Sequence, residues 1–294
     1  MKNILVTGAN GQVGQELQQL AGQHPDFQFS FTDVAELDIT DADAVNSFFQ
    51  QEEIDVCLNC AAYTAVDKAE SEEALARKIN VDGPMHLAAA CQQRGAFLLQ
   101  LSTDYVYHND CNRPLIESDP TQPKGVYAQT KLEGDLAALA EGTSAMVIRT
   151  SWVYSSFGHN FVKTMLRLGR ERDGLRVIFD QVGTPTYARD LATAMLQIVQ
   201  QLADGSLNRE DVSGVYHYSN EGVTSWYDFA HAIFDTCQID CELTPIETKD
   251  YPTPASRPAY SLLNKAKIKE SFGLSIPHWR EGLEACLEAL GERG

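Results

Sequence analysis

Short apolar runs alternate with amphipathic stretches through the first half of the chain. Asn3–Thr7, Phe27–Thr32, Val56–Ala61, Phe97–Ser102 and Ala145–Arg149 have the length and apolar density of buried strands. Between them, 3.6-residue periodicity predicts helices near Gln12–Ala21, over Asp41–Gln50 behind a Thr40/Asp41 cap, over a long Ala74–Arg94, and over Tyr127–Leu139. Strands alternating with helices at this spacing imply an α/β fold with a parallel, doubly wound sheet. After Arg149 the rhythm loosens. Asn160–Arg172, Ala188–Leu202 and Trp226–Thr236 read as helices, Val215–Ser219 as a strand, and the proline-rich Pro245–Pro258 as a loop.

Composition narrows the class. The 294 residues are 44% hydrophobic and 22% charged, which suits a soluble globular protein with a sizeable core. No apolar run approaches the ~20 residues of a membrane span. Met1-Lys-Asn-Ile-Leu-Val-Thr enters a strand directly and leaves no room for a signal peptide, so a cytoplasmic protein is expected. A formal net charge of −18 argues against nucleic acid as a partner. It also means that an anionic small molecule must be met by a few placed cations. Seven cysteines without framework spacing suit a reducing compartment. Cys57 and Cys60 have C-x-x-C spacing, but on a buried strand residues three apart face opposite ways, so core packing is predicted for them. The same is expected of Cys237 and Cys241. No metal-binding residue is predicted, and the sequence makes no argument for Mg2+.

Gly8-Ala-Asn-Gly11-Gln-Val-Gly14 follows the first strand and opens the first helix. Its glycines allow a tight turn and close backbone approach, and the helix N-terminus favours a pyrophosphate. The spacing is G-x-x-G-x-x-G rather than G-x-G-x-x-G, yet the strand–turn–helix context supports a dinucleotide cradle. Asp33 closes the second strand, where an acid can bond a ribose hydroxyl. Asp38-Ile39 in the next loop could border an adenine. The chain then divides into a Rossmann-like dinucleotide-binding region at 1–150 and a smaller, mostly substrate-binding lobe at 151–294. The lobe is expected to interleave with elements that return to the sheet.

Tyr127-Ala-Gln-Thr-Lys131 places a phenol and an ammonium one helical turn apart, on one face. A nearby cation favours the ionised phenol and lowers its pKa from ~10 toward the range of a general acid. Ser102-Thr103-Asp104-Tyr105 ends the fourth strand at the carboxyl edge, so Thr103 could bond a substrate carbonyl while Tyr127 donates the proton.

With these motifs the chain resembles the extended short-chain dehydrogenase/reductases, and within that superfamily the dTDP-4-dehydrorhamnose reductase family. The resemblance runs nearly end to end. It is carried by Val6-Thr-Gly-Ala-Asn-Gly-Gln-Val-Gly14, Asn59-Cys-Ala-Ala-Tyr-Thr-Ala-Val-Asp-Lys-Ala-Glu70, Ser102-Thr-Asp-Tyr-Val-Tyr107, Val126-Tyr-Ala-Gln-Thr-Lys131 and Arg149-Thr-Ser-Trp-Val-Tyr154. Asn160-Phe161, Asp180-Gln-Val-Gly-Thr-Pro-Thr186 and Tyr251-Pro-Thr-Pro-Ala-Ser-Arg-Pro258 complete it. It implies that Thr103, Tyr127 and Lys131 are catalytic. Gly8, Gly11, Gln12, Val13, Gly14, Asp33, Asp38, Ile39, Ala62, Tyr63 and Thr64, with Tyr127 and Lys131, would line the cofactor. Thr103, Asp104 and Trp152 would touch the deoxysugar nucleotide, with Arg257 near its diphosphate.

The expected activity is hydride transfer from NADH or NADPH to C4 of dTDP-4-dehydro-L-rhamnose, with a small-molecule nucleotide sugar as partner and no membrane. Another nucleotide-sugar reductase or epimerase, or a noncatalytic cofactor-binding regulatory subunit, remains an alternative. A dehydratase on this scaffold would by resemblance need an acid just after Thr103-Asp104, where Tyr105 stands. Asp33 and the absence of Lys or Arg between Lys2 and Lys68 predict that NADH is used at least as well as NADPH. A homodimer is compatible with the sequence, which does not set the oligomeric state.

Overall fold

The protein is described from a computed structural model, in which residues 2–108, 112–140, 142 and 144–292 are defined. The first half consists of β1 (Lys2–Thr7), α1 (Gln12–Ala21), β2 (Phe27–Thr32), α2 (Ala42–Glu52), β3 (Val56–Asn59), the short α3 (Val66–Ala69), α4 (Glu73–Arg77), α5 (Gly83–Arg94), β4 (Phe97–Thr103), α6 (Val126–Ala138) and β5 (Ala145–Thr150). The second half adds β6 (Val153–Tyr154), α7 (Phe161–Glu171), β7 (Gly174–Ile178), β8 (Val182–Gly183), β9 (Thr186–Tyr187), α8 (Ala188–Ala203), β10 (Gly214–His217), β11 (Thr224–Ser225), α9 (Trp226–Cys237), β12 (Glu242–Ile246), α10 (Ala266–Phe272) and α11 (Trp279–Ala289).

Six strands pair in parallel in the order β2-β1-β3-β4-β5-β10. Their side chains alternate between two cores, as period-two geometry requires. Ile4, Val6, Leu58, Leu99 and Ile148 face Leu17 of α1, Met195 of α8 and Phe272 of α10. Leu5, Cys57, Leu98 and Val147 face Phe49 of α2 and Leu87 of α5. Cys57 belongs to one core and Cys60 packs against the other, so the C-x-x-C pair is split by the sheet. A third core joins Val162 and Leu166 of α7, Val177 of β7, Phe229 and Ile233 of α9 and Leu283 of α11. Burying each such side chain stabilises by roughly 1.5–3 kcal/mol. No described helix is long and apolar enough to cross a membrane.

Three predicted elements differ from those observed. The strand from Val56 stops at Asn59 because the Asn59 side chain turns the chain. Its Oδ1 accepts Ala61 N–H (3.1 Å) and Thr7 Oγ1–H (2.6 Å), while Nδ2 donates to Gln100 Oε1 (2.6 Å). Pro245 lies inside β12 rather than in a loop. Among the described residues that strand pairs only with β7, and a two-stranded edge tolerates a residue without an N–H donor.

The long helix predicted over Ala74–Arg94 is interrupted by a π turn at Lys78–Asp82. The turn carries buried Asn80, whose Oδ1 accepts Tyr63 N–H (2.8 Å) and whose Nδ2 donates to Thr130 Oγ1 (3.2 Å). One carboxamide thus ties the loop after β3 to α6, a use of π turns common near functional sites. A Cβ at Gly134 of α6 would stand 2.0 Å from Asn80 O. Gly134→Ala is therefore expected to destabilise by about 1–3 kcal/mol through overpacking, read as a lower midpoint in urea unfolding, despite alanine's better helix propensity.

Candidate active site

The strand order reverses between β1 and β3, and a cavity of about 830 Å3 opens at their carboxyl ends. Gly8 leaves β1 with φ +64°, and a Cβ there would lie 2.6 Å from Ala61 N. At Gly14 a Cβ would lie 2.4 Å from Gly8 O. No side chain caps α1 at Gly11, so the first amides of the helix, at Gln12, Val13 and Gly14, are available to an anion at the cavity wall. Asp33 is braced against this turn: Oδ2 accepts Asn10 N–H (3.0 Å) and Oδ1 accepts Val34 N–H (2.8 Å). Asp38 holds Thr40 through its N–H (2.9 Å) and Oγ1–H (2.7 Å). Those bonds keep its carboxyl below the usual range, with a smaller contribution from the Lys78 charge. Asp38, Ile39, Ala62 and Thr64 line the cavity. Tyr63 lies outside the lining, its phenol donating to Glu72 Oε2 (2.5 Å).

Thr103, at the end of β4, and Tyr127 and Lys131, on α6, all line the same cavity. Thr103 Oγ1 donates to Asp104 Oδ1 (3.1 Å) and accepts Tyr105 N–H (3.2 Å). Burial pushes the Tyr127 phenol up to about 12, against a hydrogen bond with Thr103 and together with the charges of Asp104 and Asp135. Lys131 does not lower it, contrary to the expectation from i, i+4 spacing. Its Nζ donates instead to Leu101 O (2.8 Å), and burial lowers the lysine's own pKa. Spacing placed both groups on one face; a strand carbonyl decided where the ammonium points. Burial also raises Asp104 to about 6, opposed by the Ser261 and Thr103 hydroxyls.

Trp152 lines the cavity in the left-handed backbone region (φ +49°), stacked on Trp226 with ring centroids 3.6 Å apart. Gly183 makes room beneath it, since a Cβ there would meet Trp152 Cε2 at 3.0 Å. Arg257 lies outside the lining. Its guanidinium grips Asp67 through Nη1–Oδ1 (3.0 Å) and Nη2–Oδ2 (2.7 Å), and Nη1 also donates to Ala255 O (2.8 Å). Among the described residues no three His, Cys, Asp or Glu side chains gather where they could hold a metal ion.

The family model described as "RmlD substrate binding domain" matches residues 1–292. A dTDP-4-dehydrorhamnose reductase of Aggregatibacter actinomycetemcomitans is 40% identical over 290 residues, covering 97% of this chain and 98% of the relative. The chain belongs to the dTDP-4-dehydrorhamnose reductase family. Among solved structures, the Clostridium acetobutylicum reductase is 43% identical with a TM-score of 0.90, over 98% of this chain and 99% of that one. The Bacillus anthracis reductase, in complex with NADP, is 36% identical with a TM-score of 0.90, over 98% and 100%.

The segment Thr64–Glu70, part of the Asn59–Glu70 stretch that carries the family resemblance, has a mechanical explanation. Asp67 holds the strap that carries Arg257 and also accepts Ala255 N–H (3.1 Å). Glu70 Oε1 accepts Val126 N–H (2.8 Å) at the start of α6, whose own first residues provide no side-chain cap. Gly125, at φ +84°, leaves room for that carboxylate, which would stand 2.5 Å from a Cβ. Neither contact was visible in the sequence, because 56 residues separate Glu70 from Val126 and 190 separate Asp67 from Arg257. His159 and Gly158 also line the cavity without a motif that pointed to them, and Thr150 does so from within the Arg149–Tyr154 segment, where no role was assigned to it. Glu70→Ala should lower stability by about 0.5–2 kcal/mol, the range for a lost helix cap, and Glu70→Gln by less because an acceptor remains. Equal denaturation midpoints for wild type and Glu70→Ala would refute the capping role.

Proposed function

We propose that the chain reduces the C4 keto group of dTDP-4-dehydro-L-rhamnose, giving dTDP-L-rhamnose, with NADH or NADPH as reductant. The observation that carries this reading is the meeting of a glycine cradle with a hydroxyl, a phenol and an ammonium in one cavity at the sheet's carboxyl edge. The names of the relatives supply the sugar, and the Bacillus anthracis complex supports a nicotinamide dinucleotide.

Gly8 and Gly14, where a Cβ would collide with the chain's own backbone, let the turn fold tightly enough to seat the start of α1, and the amides of Gln12, Val13 and Gly14 would bind the pyrophosphate there. Asp33 would bond the adenosine ribose; Gly11, Asp38, Ile39, Ala62, Tyr63 and Thr64 would line the rest. When bound, the nicotinamide supplies the hydride. With a pKa near 12, Tyr127 keeps its proton at neutral pH and can deliver it to the C4 oxygen as negative charge develops there. Thr103 bonds the same oxygen. Lys131, its ammonium aimed at Leu101 O rather than at the phenol, would hold the nicotinamide ribose, while Asp104 and Trp152 would orient the deoxysugar. Arg257, already locked in place by Asp67, offers its remaining N–H edge to the diphosphate.

Purified protein is expected to oxidise reduced cofactor only when the 4-keto sugar nucleotide is added. In the same assay Tyr127→Phe should lose at least ~10²-fold in kcat, the lower end for a general acid, with cofactor affinity unchanged. Wild-type turnover by that variant would remove Tyr127 as the proton donor.

The cofactor preference follows from charge. A 2′-phosphate would meet Asp33 and Asp38, and like charges repel by roughly 1 kcal/mol at ~4 Å even in water. Lys78, reaching Asp38 from the π turn, is the cation that opposes this. At low salt kcat/KM for NADH should equal or exceed that for NADPH. A clear preference for NADPH would overturn the argument and assign the 2′-phosphate to Lys78.

A further inference from the structure

Beneath the Thr103, Tyr127 and Lys131 set lies a line of buried polar groups that the proposed chemistry leaves unused. Asp135 stands one turn beyond Lys131 on α6, and both are buried. Asp135 Oδ2 accepts Arg149 Nε–H at 3.1 Å, with the two side chains 1% and 6% exposed. Arg149 Nη1 donates to the Tyr107 hydroxyl (2.7 Å), which is bonded to His217 Nε2 (2.8 Å). His217 Nδ1 in turn meets Leu115 O (3.1 Å). Asp135 Oδ1 has no hydrogen-bond partner among the described residues.

We propose that Asp135 is a positioning residue: its carboxylate, anchored by Arg149, is the counter-ion that keeps Lys131 a charged ammonium beside Tyr127. The proposal rests on the reading of Lys131 as part of the reaction.

An ammonium as buried as Lys131 tends to shed its proton unless an anion lies close. The groups bearing on it are Asp135 from α6, Cys60 after β3 and the Leu101 carbonyl of β4, with Tyr127 one turn before it on the same helix face. Burial pushes the Cys60 thiol up to about 12, so it is neutral at neutral pH, and Tyr127 keeps its proton. Asp135 is left as the anion. Burial raises its own pKa, and the Arg149 and Lys131 charges and the Ser102 hydroxyl draw it back toward the carboxylate. The far end of the line adds no charge, because burial pushes His217 down to about 3. Arg149 thus pairs with Asp135 directly, while the Lys131 charge bears on the same carboxylate from one helical turn away, and removing that anion leaves the lysine only a carbonyl.

The test is the pH dependence of kcat/KM. Lys131 must be protonated to act, so activity falls as pH rises through its pKa. In Asp135→Asn that alkaline limb should move down by at least about one pH unit, a tenfold change in the lysine's ionisation. Turnover on the acid side, where Lys131 is still charged, should be largely kept. Asp135→Asn leaves Arg149 buried without its anion and can unfold the protein. The double variant Asp135→Asn/Arg149→Met removes both charges and should show the same downward shift, while Asp135→Glu should restore the limb. An unmoved or upward-moving limb in a folded variant overturns the proposal, since a merely structural acid would lower stability without shifting it. Lys131→Met separates the two readings. If it turns over like wild type, the catalytic role of Lys131 fails. If it is inactive while the Asp135→Asn limb stays in place, only the present inference fails.

Discussion

Backbone meets backbone at the carboxyl ends of β1 and β3, and the rest of the site depends on that approach. With no side chain at Gly8 or Gly14, the first turn can press to within van der Waals distance of Ala61 and of its own carbonyl. This seats the uncapped start of α1 at the point where the strand order reverses. Asn59 completes the arrangement from the other side, since its carboxamide turns the chain out of β3 while bonding Thr7 and Gln100 on the two neighbouring strands. One polar side chain and two absent ones therefore shape the floor of the cavity.

The helix that carries Tyr127 and Lys131 is held by contacts from distant parts of the chain. Glu70 caps its N-terminus, Asn80 bonds Thr130 at its centre, and Arg149 holds Asp135 near its end. Its buried face carries small residues, Ala128, Gly134 and Ala138, and at Gly134 the backbone of Asn80 comes close. This meets a need for preorganisation: the side chains proposed to react stand on a rigid element whose position is fixed by polar contacts of defined length.

An acidic chain must economise on cations where it binds anions, and here each important cation has a carboxylate assigned to it. Asp67 locks Arg257 and Asp135 holds Arg149; the same Asp135 is proposed to serve Lys131. Pairing costs some positive potential but gives orientation, because a bidentate carboxylate aims a planar guanidinium in a way that water does not.

The sheet, its flanking helices and the glycine turn were legible because they rest on local rules. Period-two alternation sorts strand residues between two cores, helical spacing marks the amphipathic stretches, and a tight strand-to-helix turn such as the one at Gly8 favours glycine. The spacing of Tyr127 and Lys131 on one face was legible for the same reason. The sequence could not show where the ammonium points, because Leu101 O belongs to another strand. It could not show the π turn at Lys78–Asp82, which exists to bring Asn80 to a loop and a helix far away in the chain. Nor could it pair Arg257 with Asp67 or Glu70 with Val126. Propensity and periodicity act over a few residues; hydrogen bonds between segments far apart in sequence, and burial itself, arise only once the chain has folded.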